Sequence, residues 1–172
     1  MNPLFIAFKV LTYDAIAIYE YNDFIRQLVY QFKGCYDYEL AASFVSNFAK
    51  EIKLIFKDYL AIPIPSFIED DEIRGFNHVH EIFKTIGLIM HPILEKTEQQ
   101  KQATSNVKTR EKIYNFMRLK KTFDLSNKKV IIVDDIYTTG STMKAAINLV
   151  EKLNPKTIKV LVVAKTRSKR AK

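Results

Sequence analysis

One stretch decides the fold of this 172-residue chain: Val130-Ile131-Ile132-Val133-Asp134-Asp135-Ile136-Tyr137-Thr138-Thr139-Gly140-Ser141-Thr142-Met143. The four β-branched residues at 130–133 are typical of a strand that is buried on both faces, as in a parallel sheet. A helical pattern follows from Ser141 to Leu153. Because ligands bind at the carboxyl ends of strands in open α/β sheets, we expect the functional site directly after Val133.

The residues that follow this strand combine two chemistries. Asp134 and Asp135 would repel a phosphate, but they can accept hydrogen bonds from sugar hydroxyls or bind a metal ion. Residues 138–142 supply hydroxyls and backbone amides at a helix N-terminus, where unpaired N–H groups and the helix dipole favour an anion. Gly140 allows a tight turn close to the ligand. A 5-phosphorylated ribose, with vicinal hydroxyls and a terminal phosphate, satisfies both chemistries.

The paired acids also have two weaker interpretations. Receiver domains contain a buried strand that ends in two acids, but they need a downstream aspartate, and no Asp follows Asp135. A structural Asp that caps a turn accounts for one acid and one Thr, but not for the whole run. The chain contains neither a Walker A loop nor a dinucleotide-binding glycine pattern.

Length and composition predict one domain over residues 1–172 with a substantial core. No apolar run approaches the ~20 residues that a membrane-spanning helix needs. The N-terminal residues lack the basic region of a signal peptide, so we expect a cytoplasmic protein without membrane contact. A single cysteine, Cys35, excludes an internal disulfide and a multi-cysteine zinc site.

The formal net charge of +8 indicates polyanionic partners, either phosphorylated substrates or single-stranded nucleic acid. Part of the excess lies at the C-terminus, where residues 166–172 are predicted to form a solvated basic tail.

Alternating strand and helix patterns predict a doubly wound, mainly parallel α/β sheet with flanking helices and an N-terminal hairpin. The predicted strands are 9–11, 15–21, 60–65, 88–94, 130–133 and 157–164, and the predicted helices are 23–32 (after an Asn22 cap), 38–59, 70–86 and 141–153. The expected buried stripes of the first two helices are Phe24, Ile25, Leu28 and Phe32, then Leu40, Phe44, Phe48, Ile52 and Ile55. Residues 95–110 show no apolar period and are predicted to form a flexible lid loop.

The run 130–143 resembles the phosphoribosyl pyrophosphate (PRPP) motif of type I phosphoribosyltransferases, which has four hydrophobic residues, two acids, two further residues and Thr-Thr-Gly-x-Thr. The resemblance implies that Asp134 and Asp135 are catalytic and contact the ribose hydroxyls. It implies a 5-phosphate site formed by Thr138, Thr139, Gly140, Ser141 and Thr142. The expected cofactor is Mg²⁺, held mainly through the substrate, with Asp134 and Asp135 as candidate protein ligands.

Further segments are similar to the ComF/ComFC competence branch of that family: Tyr19-Glu20-Tyr21 with residues 25–33, Ile62-Pro63-Ile64-Pro65, Arg74-Gly75-Phe76-Asn77-His78 and residues 109–116. This branch implies a protein of natural competence that assists in handling imported single-stranded DNA, with a competence helicase or other DNA-uptake proteins as candidate partners. Three features depart from its pattern. His78 replaces a Gln, Lys112 stands where an Arg is expected, and the zinc ribbon that often precedes this domain is missing.

A pyrophosphate leaving group needs backbone amides and cations where negative charge develops. Ile64, Pro65 and Ser66 follow a predicted strand and can supply the amides, while Arg74 can supply the cation or, alternatively, form a surface ion pair with Asp70 or Asp71. Lys112, with Lys108 and Arg110, is predicted to close over the ligand and expel water, or to lie on a solvated basic loop. His78 and His80 are two residues apart, so they are expected to be satisfied or exposed imidazoles and not a metal-binding pair.

Two classes of function remain open. One is a phosphoribosyltransferase whose acceptor is not identified; purine-salvage relatives carry an acid where this chain has Thr138, which weakens a nucleobase-salvage role. The other is a non-catalytic PRPP-sensing or DNA-binding accessory protein. Nothing in the sequence indicates an oligomeric state.

Overall fold

The computed structural model describes residues 5–96, 117–120 and 123–167. The strands are β1 (Ile6–Val10), β2 (Tyr13–Glu20), β3 (Tyr59–Pro63), β4 (Ile89–Met90), β5 (Leu94–Lys96), β6 (Met117–Leu119), β7 (Lys129–Tyr137) and β8 (Thr157–Lys165). The α-helices are α1 (Asp23–Gly34), α2 (Ala49–Phe56), α3 (Ile68–Arg74), α4 (His78–Lys84) and α5 (Ser141–Glu151). Two 3₁₀ helices, Tyr38–Phe44 and Ser46–Phe48, lie between α1 and α2.

The main sheet has six strands in the order β1-β2-β8-β7-β3-β4. All neighbours pair in parallel except β1 and β2, which form the N-terminal antiparallel hairpin. Strands β5 and β6 form a separate antiparallel pair. The predicted doubly wound, mainly parallel sheet with its hairpin is therefore confirmed.

Strand β7 lies at the centre of the sheet and is covered on both faces. Its side chains alternate, so Ile131 and Val133 join the apolar cluster that includes α1, α2 and α4, while Val130 and Ile132 join the cluster that includes α5. All four are fully buried. This two-sided burial explains why the sequence here is a continuous run of β-branched residues.

The predicted first helix is confirmed, including its cap: the Asn22 side chain accepts a hydrogen bond of 2.9 Å from the backbone amide of Ile25. The predicted set of buried residues in this helix is partly wrong. Phe24 is 56% exposed because the face that packs on the sheet carries Ile25, Leu28 and Phe32.

The predicted long helix 38–59 is wrong, since only α2 is α-helical there. Val45, with φ −135° and ψ −13°, leaves the helical conformation, and both Phe44 and Val45 are fully buried. The break shifts the helical phase, so α2 buries Ile52 and Phe56 and leaves Ile55 51% exposed. The expected burial of Ile55 is thus also wrong.

The predicted helix 70–86 is interrupted, and the cause is local. Gly75 adopts the left-handed conformation (φ 81°) and ends α3, and the Asn77 side chain then caps α4 at the backbone amide of His80. The predicted strand 88–94 is likewise divided into β4 and β5 around Pro92, which has no N–H to donate to a sheet.

Several predicted features lie wholly or mainly outside the described residues. The lid loop shares only Glu95 and Lys96 with the described part, where both belong to β5. Lys108, Arg110 and Lys112 lie outside it, as does the basic tail beyond Arg167. Among the described residues, none of the helices combines the length and apolar character needed to cross a membrane.

Candidate functional site

A cavity of about 280 Å³ opens at the carboxyl ends of β3 and β7. β3 ends at Pro63, paired to Val133, and the Ile64 amide donates to the Val133 carbonyl (2.9 Å). β7 continues beside β8 to Tyr137, so that Asp134 and Asp135 lie in the last part of β7, beyond the end of β3. Seven of its lining residues are predicted site residues: Ile64, Pro65, Ser66, Arg74, Asp134, Asp135 and Thr142. The remaining lining residues are Lys33, Phe67, Asp70, His78 and Lys96. The fold thus brings together the segments predicted to contact the ribose and the pyrophosphate.

The other predicted phosphate-binding residues, Thr138, Thr139, Gly140 and Ser141, do not line this cavity. They form the adjoining turn between β7 and α5, and Thr142 connects that turn to the cavity wall. The position of Lys112 relative to the cavity remains a prediction.

The two strand-end carboxylates differ in their partners. Each has one oxygen on the next backbone amide: Asp134 Oδ1 accepts from the amide of Asp135 (2.9 Å), and Asp135 Oδ1 accepts from that of Ile136 (2.8 Å). The second oxygen of Asp135 forms an ion pair with the ammonium of Lys33 and lies 3.8 Å from His78 Nε2. Asp135 Oδ1 is thus hydrogen-bonded, whereas its buried Oδ2 has the Lys33 ion pair but no hydrogen-bond partner among the described residues.

Opposite pKa shifts follow from these partners. Burial, together with the charge of Asp135, raises the pKa of Asp134 well above its ordinary value. Burial also acts to raise the pKa of Asp135, but the nearby Lys33 ammonium and then His78 hold it well below the ordinary range. Asp135 is consequently ionised at neutral pH, and Asp134 is the carboxylate whose ionisation a bound cation would favour.

His78 connects the acid pair to Arg74. Arg74 Nη1 lies 3.2 Å from His78 Nδ1 and 3.1 Å from Asp71 Oδ1. A guanidinium can only donate, so Nδ1 accepts and the imidazole proton resides on Nε2, which faces Asp135. Burial, followed by the charge of Lys33, lowers the pKa of His78 to about 3. The imidazole is therefore neutral at physiological pH.

Arg74 forms the ion pair with Asp71 that was one of its two predicted roles, but not at the surface. Its side chain is only 10% exposed, it lines the cavity, and its guanidinium lies 5.9 Å from the Phe76 ring centre. Its buried Nε has no hydrogen-bond partner within the described part of the chain. A buried donor without a partner at a cavity wall is a position that an oxygen-rich ligand can satisfy.

A hydrogen-bond network fixes the loop after β3 to the turn between α3 and α4. Asp71 accepts from the Ser66 hydroxyl (2.6 Å) and from Asn77 Nδ2 (2.9 Å), and Asn77 Nδ2 also donates to Ser66 Oγ (2.8 Å). The loop predicted to face pyrophosphate is thereby held in one position relative to Arg74.

The turn before α5 has the geometry of an anion site. Gly140 has φ 77°, which favours glycine, and a Cβ there would overlap the end of the Tyr137 side chain unless that ring moved. Gly140 at the N-cap position has no side chain to cap the helix, and within the described residues the Ser141 amide donates one long hydrogen bond (3.5 Å) to the Thr139 hydroxyl. The hydroxyls of Thr139 and Ser141 lie 3.0 Å apart at the opening, where Thr138, Thr139 and Thr142 are exposed. The first-turn amides of an 11-residue helix therefore face hydroxyls and solvent.

Sequence reasoning missed Lys33 and Lys96. Lys33 is in the last turn of α1, where a lysine is usually explained by the helix dipole, and nothing local indicates that it reaches Asp135. Lys96 ends β5 and lies 4.7 Å from the ring centre of Phe67, a residue of the same cavity wall. Both positions depend on tertiary packing, and no sequence pattern near either lysine predicts them.

The described residues contain no group of three or more His, Cys, Asp or Glu side chains placed to hold a metal ion. The strand-end carboxylates at the cavity are Asp134 and Asp135, and one oxygen of Asp135 is already paired with Lys33. One or two carboxylates with substrate phosphates are a usual ligand set for Mg²⁺. The donor set therefore fits a magnesium ion held mainly by a phosphorylated ligand.

Comparison with known proteins places this geometry in a family. The family model for the phosphoribosyl transferase domain matches residues 76–172, which is more than half of the chain. The competence protein ComFC of Bacillus subtilis is 30% identical over 132 residues, covering 76% of this chain and 55% of that protein. The ComFC protein of Streptococcus pneumoniae is 30% identical over 145 residues, covering 83% of this chain and 64% of that protein.

The chain thus spans less than two thirds of the length of these relatives. Among solved structures, a hypoxanthine phosphoribosyltransferase from Staphylococcus aureus superposes with a TM-score of 0.45 at 12% identity, covering 78% of this chain and 70% of that one. The fold assignment rests on the strand order above and not on that superposition. From the family match, the chain belongs to the phosphoribosyltransferase family, and over most of its length it is similar to ComFC proteins.

Proposed function

We propose that this chain binds PRPP together with Mg²⁺ and transfers its phosphoribosyl group to an acceptor. The observation that carries this proposal is one cavity in which the strand-end acids Asp134 and Asp135 meet the loop 64–66 and the buried Arg74. Directly beside it lies the N-terminus of α5, which has Gly140 at its N-cap position and whose Ser141 amide donates a long hydrogen bond (3.5 Å) to the Thr139 hydroxyl. Carboxylates for a diol, donors for a pyrophosphate and a glycine turn for a phosphate are thus next to one another.

Each part of the ligand has a chemically matched group. Asp134 and Asp135 accept hydrogen bonds from the ribose hydroxyls, and residues 138–142 donate to the 5-phosphate. Of the loop 64–66, the amide of Ser66 is the donor assigned to the pyrophosphate, with Arg74 beside it, because the Ile64 amide is bound to the Val133 carbonyl and Pro65 has no N–H. Bound through the ligand's own oxygens and the two carboxylates, Mg²⁺ would neutralise charge on the leaving group.

During transfer, the bond between ribose C1 and the pyrophosphate oxygen breaks, and its electron pair leaves with pyrophosphate. The acceptor attacks C1 from the opposite face and loses a proton. Donors and cations that are already fixed in place stabilise the charge that develops on the leaving group. Thr138 is exposed and lies outside the cavity, and it offers no carboxylate to act as a base toward a nucleobase. The proposal therefore leaves the acceptor open.

We place this activity in natural competence, in the cytoplasm, where the chain would assist in handling imported single-stranded DNA. Two observations support this assignment: both similar proteins are named competence protein ComFC, and the chain has a net charge of +8. A competence helicase and other DNA-uptake proteins are the candidate partners.

Calorimetry with PRPP and MgCl₂ tests the binding step. Removing both charges in D134N/D135N should weaken PRPP binding by about 100-fold or more, since hydrogen bonds to charged groups contribute about 1.5–3 kcal/mol each. The matched control is D58N, because Asp58 is an exposed carboxylate next to the opposite end of β3. Unchanged affinity in the double variant would refute the proposed site.

A measurement of turnover distinguishes a phosphoribosyltransferase from a non-catalytic accessory protein. Incubation with PRPP, Mg²⁺ and a panel of acceptors should release pyrophosphate, and D134N/D135N should abolish that release. PRPP binding without release under any acceptor, combined with binding of single-stranded oligonucleotides, would instead favour the PRPP-sensing or DNA-binding protein.

A further inference from the structure

Lys33 occupies a position in the cavity that the functional assignment leaves unexplained. It comes from the last turn of α1, in the N-terminal part of the chain, yet its ammonium pairs with Asp135 at the end of β7. The side chain is 28% exposed and lines the cavity, so the ammonium is accessible to a ligand. It is thus both the counter-ion of a buried acid and part of the cavity wall.

Of the described residues, three with cationic side chains line this cavity, and Lys33 is the one that contacts the acid pair. Arg74 uses Nη1 to bind Asp71 and His78. Lys96 projects from β5 and lies over the ring of Phe67. An ammonium carries three N–H donors, so Lys33 can keep its bond to Asp135 and still donate to a second oxygen.

We propose that Lys33 binds the pyrophosphate group of PRPP while it remains paired with Asp135, an inference that rests on the proposed function. The diol of the ribose approaches Asp135, which brings the substituent on the neighbouring C1 close to the Lys33 ammonium. The same cavity is lined by the loop 64–66 and by Arg74, whereas of the predicted 5-phosphate residues 138–142 it includes Thr142 alone. The position of Lys33 therefore matches pyrophosphate and not the 5-phosphate.

A purely structural role makes a different prediction. If Lys33 only neutralises a buried carboxylate, its loss disturbs Asp135 and weakens every ligand that uses the acid pair. If Lys33 also contacts pyrophosphate, its loss weakens ligands that carry that group by an additional factor, beyond the effect on Asp135. Three ligands separate the two roles: PRPP, inorganic pyrophosphate and ribose 5-phosphate, each titrated with MgCl₂.

The experiment measures the affinity of the full chain for these ligands in K33M, K33R and the control K50M, since Lys50 is an exposed lysine of α2 outside the cavity. K33M should weaken binding of PRPP and of pyrophosphate by about 10- to 100-fold, as expected for a charge-assisted hydrogen bond. Binding of ribose 5-phosphate should fall by a smaller factor, at least about fivefold smaller than the loss for pyrophosphate, because this ligand is affected only through the lost counter-ion of Asp135. K33R should retain most of the affinity, and K50M should match the wild type.

Each alternative outcome overturns the inference. Equal losses for ribose 5-phosphate and pyrophosphate would show a structural role, and unchanged pyrophosphate affinity in K33M would show that Lys33 makes no contact. If K33M does not fold, K33Q replaces it, since its amide can still donate to Asp135 without carrying charge. If the wild type binds PRPP and K33M binds it equally well, this inference is refuted but the proposed function is not. A wild type that binds neither PRPP nor pyrophosphate would refute the proposed function as well.

Discussion

Asp134 and Asp135, adjacent residues of β7, show how strongly the environment can shift the pKa values of two identical side chains in opposite directions. Asp134 and Asp135 are both held by the next backbone amide, but only Asp135 forms an ion pair with Lys33. Asp135 therefore stays ionised, whereas burial and the neighbouring charge oppose ionisation of Asp134. The pair carries one firmly fixed negative charge and a second that a cation can induce, which suits a site that binds its metal together with the substrate.

The neutral state of His78 predicts a specific dependence of stability on pH. Its pKa falls from 6.5 to about 3 on folding, because the imidazole is buried and lies near Lys33. Between these values the unfolded chain binds the extra proton, so this contribution to stability is complete above pH 6.5 and declines as the pH falls toward 3. Between pH 7 and pH 4.5, we expect the free energy of unfolding of the wild type to fall by about 1–3 kcal/mol more than that of H78Q.

Urea unfolding of wild type, H78Q and the control H91Q at both pH values measures this effect. His91 lies outside the cavity, so H91Q should follow the wild type. Parallel pH profiles for wild type and H78Q would show that the imidazole is not kept neutral by the fold.

Gly140 provides a second residue-level prediction, with Gly75 as its matched control. Both glycines have a positive φ, but a Cβ at Gly75 would meet no atom within 4 Å, whereas one at Gly140 would collide with Tyr137. G75A should therefore cost only the backbone strain, about 1–2 kcal/mol. G140A should cost about 2–5 kcal/mol, since steric overlap is added. Equal losses in thermal or urea unfolding would show that Tyr137 moves aside without cost.

The role of Gly140 shows what residue patterns can and cannot report. The sequence predicts a tight turn there, because a glycine that follows two acids and precedes a helix is typical of such a turn. It does not predict that Tyr137 packs against the glycine, since this contact depends on how Tyr137 is held by Phe8 of the N-terminal hairpin, 4.8 Å away between ring centres. Lys33 is a stronger example, because its contact with Asp135 joins two segments that are distant in the chain.

At the scale of the elements, the break between α3 and α4 is as important to the site as the strand ends. A continuous helix over 70–86 would not form the turn in which Asn77 bonds Ser66, Asp71 and the His80 amide together. The sequence carried the signal, Gly75 two residues before an Asn, but the apolar period across it predicted one helix. The succession of β7, α5 and β8 was predicted because strand pattern, glycine turn and helix pattern agree there. The predicted end of β7 at Val133 was wrong, since the strand continues through both acids to Tyr137.

Two helix caps allow the structural and functional roles of this turn to be separated. Asn22 and Asn77 each accept from an amide in the first turn of their helix, but only Asn77 also holds Ser66 and Asp71. N22A and N77A should each lose about 0.5–2 kcal/mol of unfolding free energy from the lost cap. N77A alone should weaken pyrophosphate binding, by about 3- to 10-fold, because the loop 64–66 is no longer fixed. Equal pyrophosphate affinity in both variants would contradict a functional role for this network.

At the scale of the whole molecule, strand order produces the site. Because β3 lies next to β7 and both run in the same direction, segments about 70 residues apart in the chain end at one edge. Alternating patterns were sufficient to predict a parallel sheet with its ligand at that edge. They could not specify which strands are neighbours, and so could not indicate that the two cavity walls come from the ends of β3 and β7.

The excess positive charge of the molecule leads to the last prediction, which concerns nucleic acid. If the net charge of +8 serves to bind single-stranded DNA, affinity must fall as salt rises, because each neutralised phosphate releases counter-ions. With about three phosphates contacted, affinity for a single-stranded oligonucleotide should fall about 20-fold between 50 and 200 mM salt. Fluorescence anisotropy across this range measures the slope, and D134N/D135N should show the same slope as the wild type, since the acid pair has no part in this contact. If the affinity does not change with salt concentration, the net charge no longer supports a role in DNA handling. The proposed PRPP site would still stand, because it depends on the residues at the ends of β3 and β7 and not on the charge of the whole surface.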